Sequence, residues 1–524
     1  MTVDRRTFVK GALGASGAVL LGGLGGLGGL GGLGGLGTDA AAGASTGTGT
    51  GTGPGLGLTR ALRRVDSAAG ALPDPTASGI EHVIVVMMEN RSFDHFLGWL
   101  PHSDGRQAGL SYPDPQGVSH KTFHQTQFNG CDYTDPDHSY SGGRLQYNGG
   151  KMDGFLSDTA NDTFAISYYE AKDRPFMSRL ARAYTTCDRY LCAILAPTYP
   201  NRFFQHAAQT DRLDDALTVS KLPTIWDQLN ASGGPTGSYY YSDVPFIALW
   251  GGKYSSISHP FSTFLSDAAG GTLPNVSYLD PKFVGEGNGT SADDHPLADI
   301  RAGDAFLSQV FHAVTTGPGW DKTVLVINYD EWGGFFDHVV PRRITAGVAA
   351  GVDPHSGVDT DVNAQGKVLS GFRVPCIIVS PFTRVGAKQT AAVNHSFYDH
   401  TSVLKLIEWR WGLEPLTQRD ASHSAADPGN LATALAFSHP VSKVPNLPLL
   451  PTFTPVACAA STTPTTNAPG IGQADYSVGG RRAGGVAVAT AAPVDVSLAA
   501  VADNPDGHDT WTALARSALD NGWT

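Results

Sequence analysis

Three runs of aliphatic and β-branched residues constrain the fold of this chain most: His82-Val83-Ile84-Val85-Val86-Met87, Thr323-Val324-Leu325-Val326-Ile327-Asn328 and Val374-Pro375-Cys376-Ile377-Ile378-Val379. Successive side chains of a strand point to opposite faces, so a nearly continuous apolar run offers water neither face and belongs inside a sheet covered on both sides. Each run leads into polar or tightly turning residues: Glu89-Asn90, Asp330-Glu331-Trp332-Gly333-Gly334 and Ser380-Pro381-Phe382. An open α/β sheet keeps its chemistry at the carboxyl ends of its strands. Helical patterns fill the intervals, among them Asp299 to Val314 and His400 to Trp411, and no low-complexity stretch interrupts the alternation between Ser78 and about Leu450. The pattern predicts one α/β domain with a central, mostly parallel sheet and helices on both faces.

The flanks read differently. Residues 1–42 hold Arg5-Arg6, a glycine-rich apolar stretch and Ala40-Ala41-Ala42, which resemble a twin-arginine export signal. A membrane anchor is the competing reading, but a stretch this rich in glycine transfers weakly into lipid. Residues 43–77 have the Gly/Thr composition of a linker, residues 78–450 form the predicted catalytic domain, and residues 451–524 form a tail with one short helix expected from Thr510 to Leu519 and no assigned function. The expected location is outside the cytoplasm, secreted or associated with the cell wall. Five cysteines (Cys131, Cys187, Cys192, Cys376 and Cys458) are too few and too scattered for a disulfide scaffold or a zinc knuckle, but leave room for one pair to oxidise outside the cell. Cys187 and Cys192 read as small buried hydrophobes.

A formal net charge of -12, with no basic run beyond the N-terminus, argues against nucleic acid as a partner. An anionic substrate would then need a local metal. Asp330-Glu331 are adjacent carboxylates at the end of an apolar strand, and burying two like charges is costly unless a cation neutralises them. For the dipeptide alone, a solvated pair is an equal alternative. Glu89-Asn90 ends a second such strand, and neighbouring strand ends can converge on one divalent ion: Ca²⁺, Mg²⁺, Mn²⁺ or Zn²⁺. Thr198, in Ala196-Pro197-Thr198-Tyr199-Pro200, is the candidate nucleophile, with its prolines expected to keep it out of a helix. A threonine between prolines is otherwise an ordinary loop residue. Among 17 histidines, His138 in Asp135-Pro136-Asp137-His138 and His295 in Asp293-Asp294-His295 lie in polar clusters that can orient an imidazole, with His259 and His338 weaker candidates. Tyr239-Tyr240-Tyr241 and Phe335-Phe336 read either as contacts for acyl chains or as packed core aromatics.

The blocks MMENRSFDHFLGWL, DPDHS, CDRYLCAILAPTYPNRFF, PTIWDQL, ADDHP, YDEWGGFFDHVVP and RVPCIIVSPF with DHTSVLKLIEWRWGL resemble, in this order, the bacterial phospholipase C and acid phosphatase superfamily that includes plant non-specific phospholipases C. The resemblance covers roughly Ile80 to Leu413. It implies an alkaline-phosphatase-like α/β core and one metal held by Glu89, Asn90, Asp330 and Glu331, with Thr198 as the metal-activated nucleophile. His138, His295 and, less directly, His259 would bind phosphoryl oxygens or protonate the leaving group. Trp332 departs from the pattern, standing where the plant enzymes carry histidine. The implied function is an exported, metal-dependent phospholipase C that cleaves phosphatidylcholine-like lipids to diacylglycerol through a phosphothreonine, touching the membrane surface transiently. An exported acid phosphatase and a non-catalytic exported binding protein on the same scaffold are the alternatives.

Overall fold

The residues Val83-Ile84-Val85-Val86 cannot all face one side of a sheet, and in the structure they do not. A computed structural model describes residues 63–65 (backbone), 72–157, 159–346, 367–383, 392–438, 440–459, 497–503 and 510–523. Its main sheet contains nine strands. In chain order they are β1 (Arg63–Val65), β2 (His82–Met88), β3 (Thr185–Cys187), β4 (Gly237–Tyr241), β5 (Ser258–Pro260), β6 (Val276–Asp280), β7 (Thr323–Tyr329), β8 (Cys376–Val379) and β9 (Ala392–Asn394). Their spatial order is β1-β9-β3-β8-β7-β2-β6-β4-β5. Every neighbouring pair is parallel except those of β8, which runs antiparallel to both β7 and β3. The expected α/β architecture with a mostly parallel sheet is therefore present, with the apolar strands β2 and β7 side by side in its interior.

Helices cover both faces, as consecutive residues of single strands reveal. The principal ones are α1 (Pro175–Ala183), α2 (Thr198–Ala207), α3 (Ile225–Ser232), α4 (Phe261–Gly270), α5 (Ile300–Thr316), α6 (His400–Trp411) and α7 (Thr510–Asp520). Tyr239 packs near His206 of α2 and Trp226 of α3, while the next residue, Tyr240, packs on Phe264 of α4. Likewise Asn328 bonds Gln205 of α2 at 2.7 Å, and the hydroxyl of Tyr329 reaches Met177 of α1. Both aromatic runs read as possible lipid contacts are core residues, since Tyr239, Tyr240, Phe335 and Phe336 are buried.

The structure departs from the sequence reading in three places. The third apolar run begins its strand only at Cys376, after Pro375, which has no N–H to give the ladder. Because β8 is antiparallel, Ser380 leaves the sheet at the end opposite Glu89 and Asp330, and its hydroxyl bonds Thr323 O at 2.7 Å at the start of β7. The sheet also takes a strand, β1, from the stretch read as linker; backbone pairing with β9 needs no apolar side chains. The tail is bound to the domain as well: Cys458 forms a disulfide with Cys131 across 327 residues, and α7 packs on the segment Phe246–Ile257. The other three cysteines are free and buried. The proposed export signal lies outside the described residues.

Candidate active site

Strand register places the two polar pairs together. β7 lies parallel beside β2 with Tyr329 opposite Met88, so Glu89 and Asp330 leave the sheet at the same level. The two chain segments then interlock. Asp330 N donates to Met88 O at 3.1 Å, Asn90 N to the Asp330 Oδ1 at 3.0 Å, and Arg91 N to Glu331 O at 3.0 Å. Asn90 adopts a left-handed φ of 61°, which asparagine tolerates better than most residues. Gly333 has a φ of +65°, and a Cβ there would stand 1.9 Å from Asn90 O. Gly333 of the DEWGGF turn is thus what lets the two strand ends approach each other.

Thr198 joins them from the next layer. It was expected outside a helix, but it is the first residue of α2, with Pro197 as the N-cap and Pro200 in the first turn. Proline fits there because first-turn N–H groups have no partner within the helix. Its Oγ1 donates to Asn90 Oδ1 at 3.4 Å, and the Tyr199 N–H is held by Asp215 Oδ1 at 2.7 Å. A helix N-terminus also favours a phosphoryl group. One turn further along α2, Arg202 lies 3.0 Å from Glu89, 3.3 Å from Asp330 and 3.2 Å from Asp280. Sequence reading missed Arg202; its position four residues after Thr198, on the same helix face, was the available signal.

Even with Arg202 present, this centre is short of positive charge. Both Glu89 oxygens and Glu331 Oε1 are buried without a hydrogen-bond partner, because Arg202 approaches Glu89 at ion-pair distance without hydrogen-bond alignment. Burial pushes the carboxyls of Glu89 and Glu331 well above their ordinary pKa. An uncompensated buried carboxylate costs several kcal/mol. The donor set of carboxylates, an amide oxygen and a hydroxyl fits a hard or borderline divalent cation. Glu89 also faces a group not foreseen from sequence: one oxygen each of Glu89, Glu286 and Asp293 lie within 4.8 Å of one another.

Two of the three histidines converge on this centre. His138 donates from Nδ1 to Pro136 O at 2.8 Å, and its Nε2 stands 3.3 Å from Asn90 Nδ2. Burial opposes charge on His138, but Glu331 and Asp135 outweigh it and push its pKa up to about 10. His295, whose ring centroid is 5.9 Å from that of His138, is held well below its ordinary pKa by burial, then by His138 and Arg91. The loop carrying His295 is clamped by Arg91, which donates to Asp294 O at 2.6 Å and to His295 O at 3.0 Å. His259 is not part of this group. It sits on the edge strand β5 in register with Tyr240, Leu279 and Val86, three strand spacings or roughly 14 Å from β2. His338 bonds Asp94 at 2.5 Å in a separate buried network with Arg373 and Asp337. Trp332 is fully buried and donates to Gln146 Oε1 at 2.6 Å.

A cavity of about 640 Å³ borders the site, lined among others by Ser139, Tyr140, Pro197 and Asp214. Ser139 follows His138 and Pro197 precedes Thr198, so two of the lining residues are chain neighbours of site residues.

Phospholipase C B of Mycobacterium tuberculosis is 29% identical over 476 residues, covering 76% of this chain and 88% of its own. Non-specific phospholipase C1 of Arabidopsis thaliana is 32% identical over 384 residues, covering 67% and 70% respectively. Non-hemolytic phospholipase C of Burkholderia pseudomallei is 28% identical over 452 residues, 71% of this chain and 61% of that one. The Phosphoesterase family profile matches residues 80–414, a span that contains every site residue named above, so the chain belongs to the Phosphoesterase family.

Proposed function

We propose that this phosphoric ester hydrolase is an exported, metal-dependent phospholipase C whose nucleophile is Thr198. The observation that carries the reading is that both Glu89 oxygens and Glu331 Oε1 are buried without a hydrogen-bond partner beside the Thr198–Asn90 contact. Membership of the Phosphoesterase family sets aside the non-catalytic alternative. When bound by Glu89, Asn90, Asp330, Glu331 and Thr198, a single divalent ion, Ca²⁺, Mg²⁺, Mn²⁺ or Zn²⁺, supplies the missing positive charge and lowers the pKa of the threonine hydroxyl. Thr198 Oγ1, its proton released to solvent, attacks phosphorus, the bond to the diacylglycerol oxygen breaks, and the threonine carries the phosphorylated head group until water releases it. Of the two imidazoles beside Thr198 and Asn90, His138, oriented by its Nδ1 bond to Pro136 O, is assigned to the departing oxygen and His295 to the incoming water.

The lipid substrate implies transient contact with a membrane surface. Among the described residues no helix is long and apolar enough to cross a membrane. Export is supported by the Arg5-Arg6 signal pattern and by the Cys131–Cys458 disulfide, which suits an oxidising compartment. The test is a substrate panel run before and after chelation. Diacylglycerol release from phosphatidylcholine that stops on chelation, and a Thr198→Ala variant that folds but loses turnover by at least ~10³-fold, are the expected results. Activity confined to phosphomonoesters would make the protein an acid phosphatase, and unchanged hydrolysis after both treatments would remove Thr198 and the metal from the mechanism.

A further inference from the structure

The C-terminal helix α7 lies beyond the family-matched residues 80–414, yet its first buried side chain ends among the residues of the site. Trp511 is 1% exposed. Its indole stacks face to face on Phe283, with centroids 3.8 Å apart and planes 7° apart, and meets Tyr199, the neighbour of Thr198, at 5.5 Å. The guanidinium carbon of Arg202 lies 5.9 Å from the same ring. The indole Nε1–H donates to Glu286 Oε1. The other oxygen of Glu286 stands 3.8 Å from His295 Nε2, and Glu286 belongs to the buried carboxylate group with Glu89 and Asp293.

The physical consequence follows from the cost of crowding three carboxyl groups in a buried place. One oxygen of Glu286 lies within 4.8 Å of one each from Glu89 and Asp293, and buried carboxyl groups this close keep an ordered arrangement only if hydrogen-bond donors fix them. The Trp511 N–H is such a donor, and the stack on Phe283 leaves the indole little freedom to look elsewhere. With Oε1 held, Oε2 is left 3.8 Å from His295 Nε2, and the carboxyl group stays fixed beside Glu89 and Asp293.

We propose that Trp511 is a positioning residue for the phosphoesterase site, orienting Glu286 and through it Glu89 and His295. The proposal rests on the roles given to Glu89 and His295 above. It makes the tail part of the active centre, with Trp511 acting through Glu286 rather than on the reacting atoms.

The test uses the full-length protein, the soluble diester p-nitrophenylphosphocholine, and the variants Trp511→Phe, Glu286→Gln and the double variant. Trp511→Phe keeps the aromatic stack and removes only the N–H. It is expected to melt within a few degrees of the parent and to keep KM within about twofold. Its kcat should fall, and the divalent ion concentration for half-maximal reactivation after chelation should rise, each on the order of 10-fold. Glu286→Gln should do the same, and the double variant should be no worse than the poorer single one, because both act through one contact. A folded Trp511→Phe with unchanged kcat and metal dependence overturns the proposal, as do losses that multiply in the double variant. If the parent proves insensitive to chelation, the metal reading fails, while non-additive kcat losses still establish the positioning role.

Discussion

Gly333 shows how a single residue governs the meeting of the two strand ends. At φ +65°, with Asn90 O 1.9 Å from where its Cβ would be, an alanine there meets both backbone strain and a clash with main chain that cannot swing aside. Gly333→Ala is expected to cost roughly 1–3 kcal/mol of stability. Because the displaced atom belongs to Asn90, it should also lower kcat out of proportion to the loss of folded protein. Thermal melts and kinetics on the same preparation separate the two effects, and a variant that melts early but turns over normally would argue against this coupling. Legibility at this scale was uneven. Glu89-Asn90 and Asp330-Glu331 could be read because each ends an apolar run, and His138 and His295 because each stands among carboxylates. Arg202, Glu286 and Asp293 escaped as partners because their partners lie far away in sequence, and His259 was included through the family resemblance, since nothing in Ser258-His259-Pro260 shows that it falls on an edge strand.

Among the elements, the short two-stranded sheet of Arg343–Thr345 with Lys367–Leu369 depends on one carboxylate. Asp427 accepts from Thr345 N at 2.8 Å, Thr345 Oγ1 at 2.7 Å, Ser422 Oγ at 2.6 Å and Lys367 Nζ at 3.0 Å. Burial works against its charge, but the hydrogen bonds from Ser422, Thr345 and Lys367 outweigh it and bring its pKa down to about 2. A carboxyl depressed on folding stabilises fully above its unfolded pKa and stops doing so as pH falls through its folded one. Asp427→Asn should therefore lower Tm by a few degrees at pH 7, with the difference from the parent shrinking below pH ~4 and vanishing near pH ~2. A pH-independent gap in melting curves would exclude this account. Element boundaries were readable where capping chemistry is local. α6 begins after its cap Asp399 and ends at Gly412, and α5 begins after Asp299. α2 was misjudged because proline disfavours a helix interior but not its first turn.

The described parts of the tail are tied to the catalytic domain by a covalent bond and by packing. The Cys131–Cys458 bond joins residues 327 apart, linking the chain that leads to His138 with a segment that also bonds Asn288 O, two residues from Glu286. Reduction, or Cys458→Ser, is expected to cost about 2–5 kcal/mol and to lower Tm. Melting curves with and without reductant check this, and identical curves would show that the tail holds without its cross-link. The apolar runs alone required a sheet covered on both faces, because side-chain alternation is a property of consecutive residues. They also located the strand ends where the polar pairs emerge. Strand order was decided elsewhere: that β8 would run backwards and take Ser380 away from the site depends on which edges find each other, and nothing within the run encodes it. The same holds for the tail, whose Trp511 meets Glu286 225 positions away in the chain. A buried donor and acceptor are matched by packing, and packing is a property of the assembled molecule.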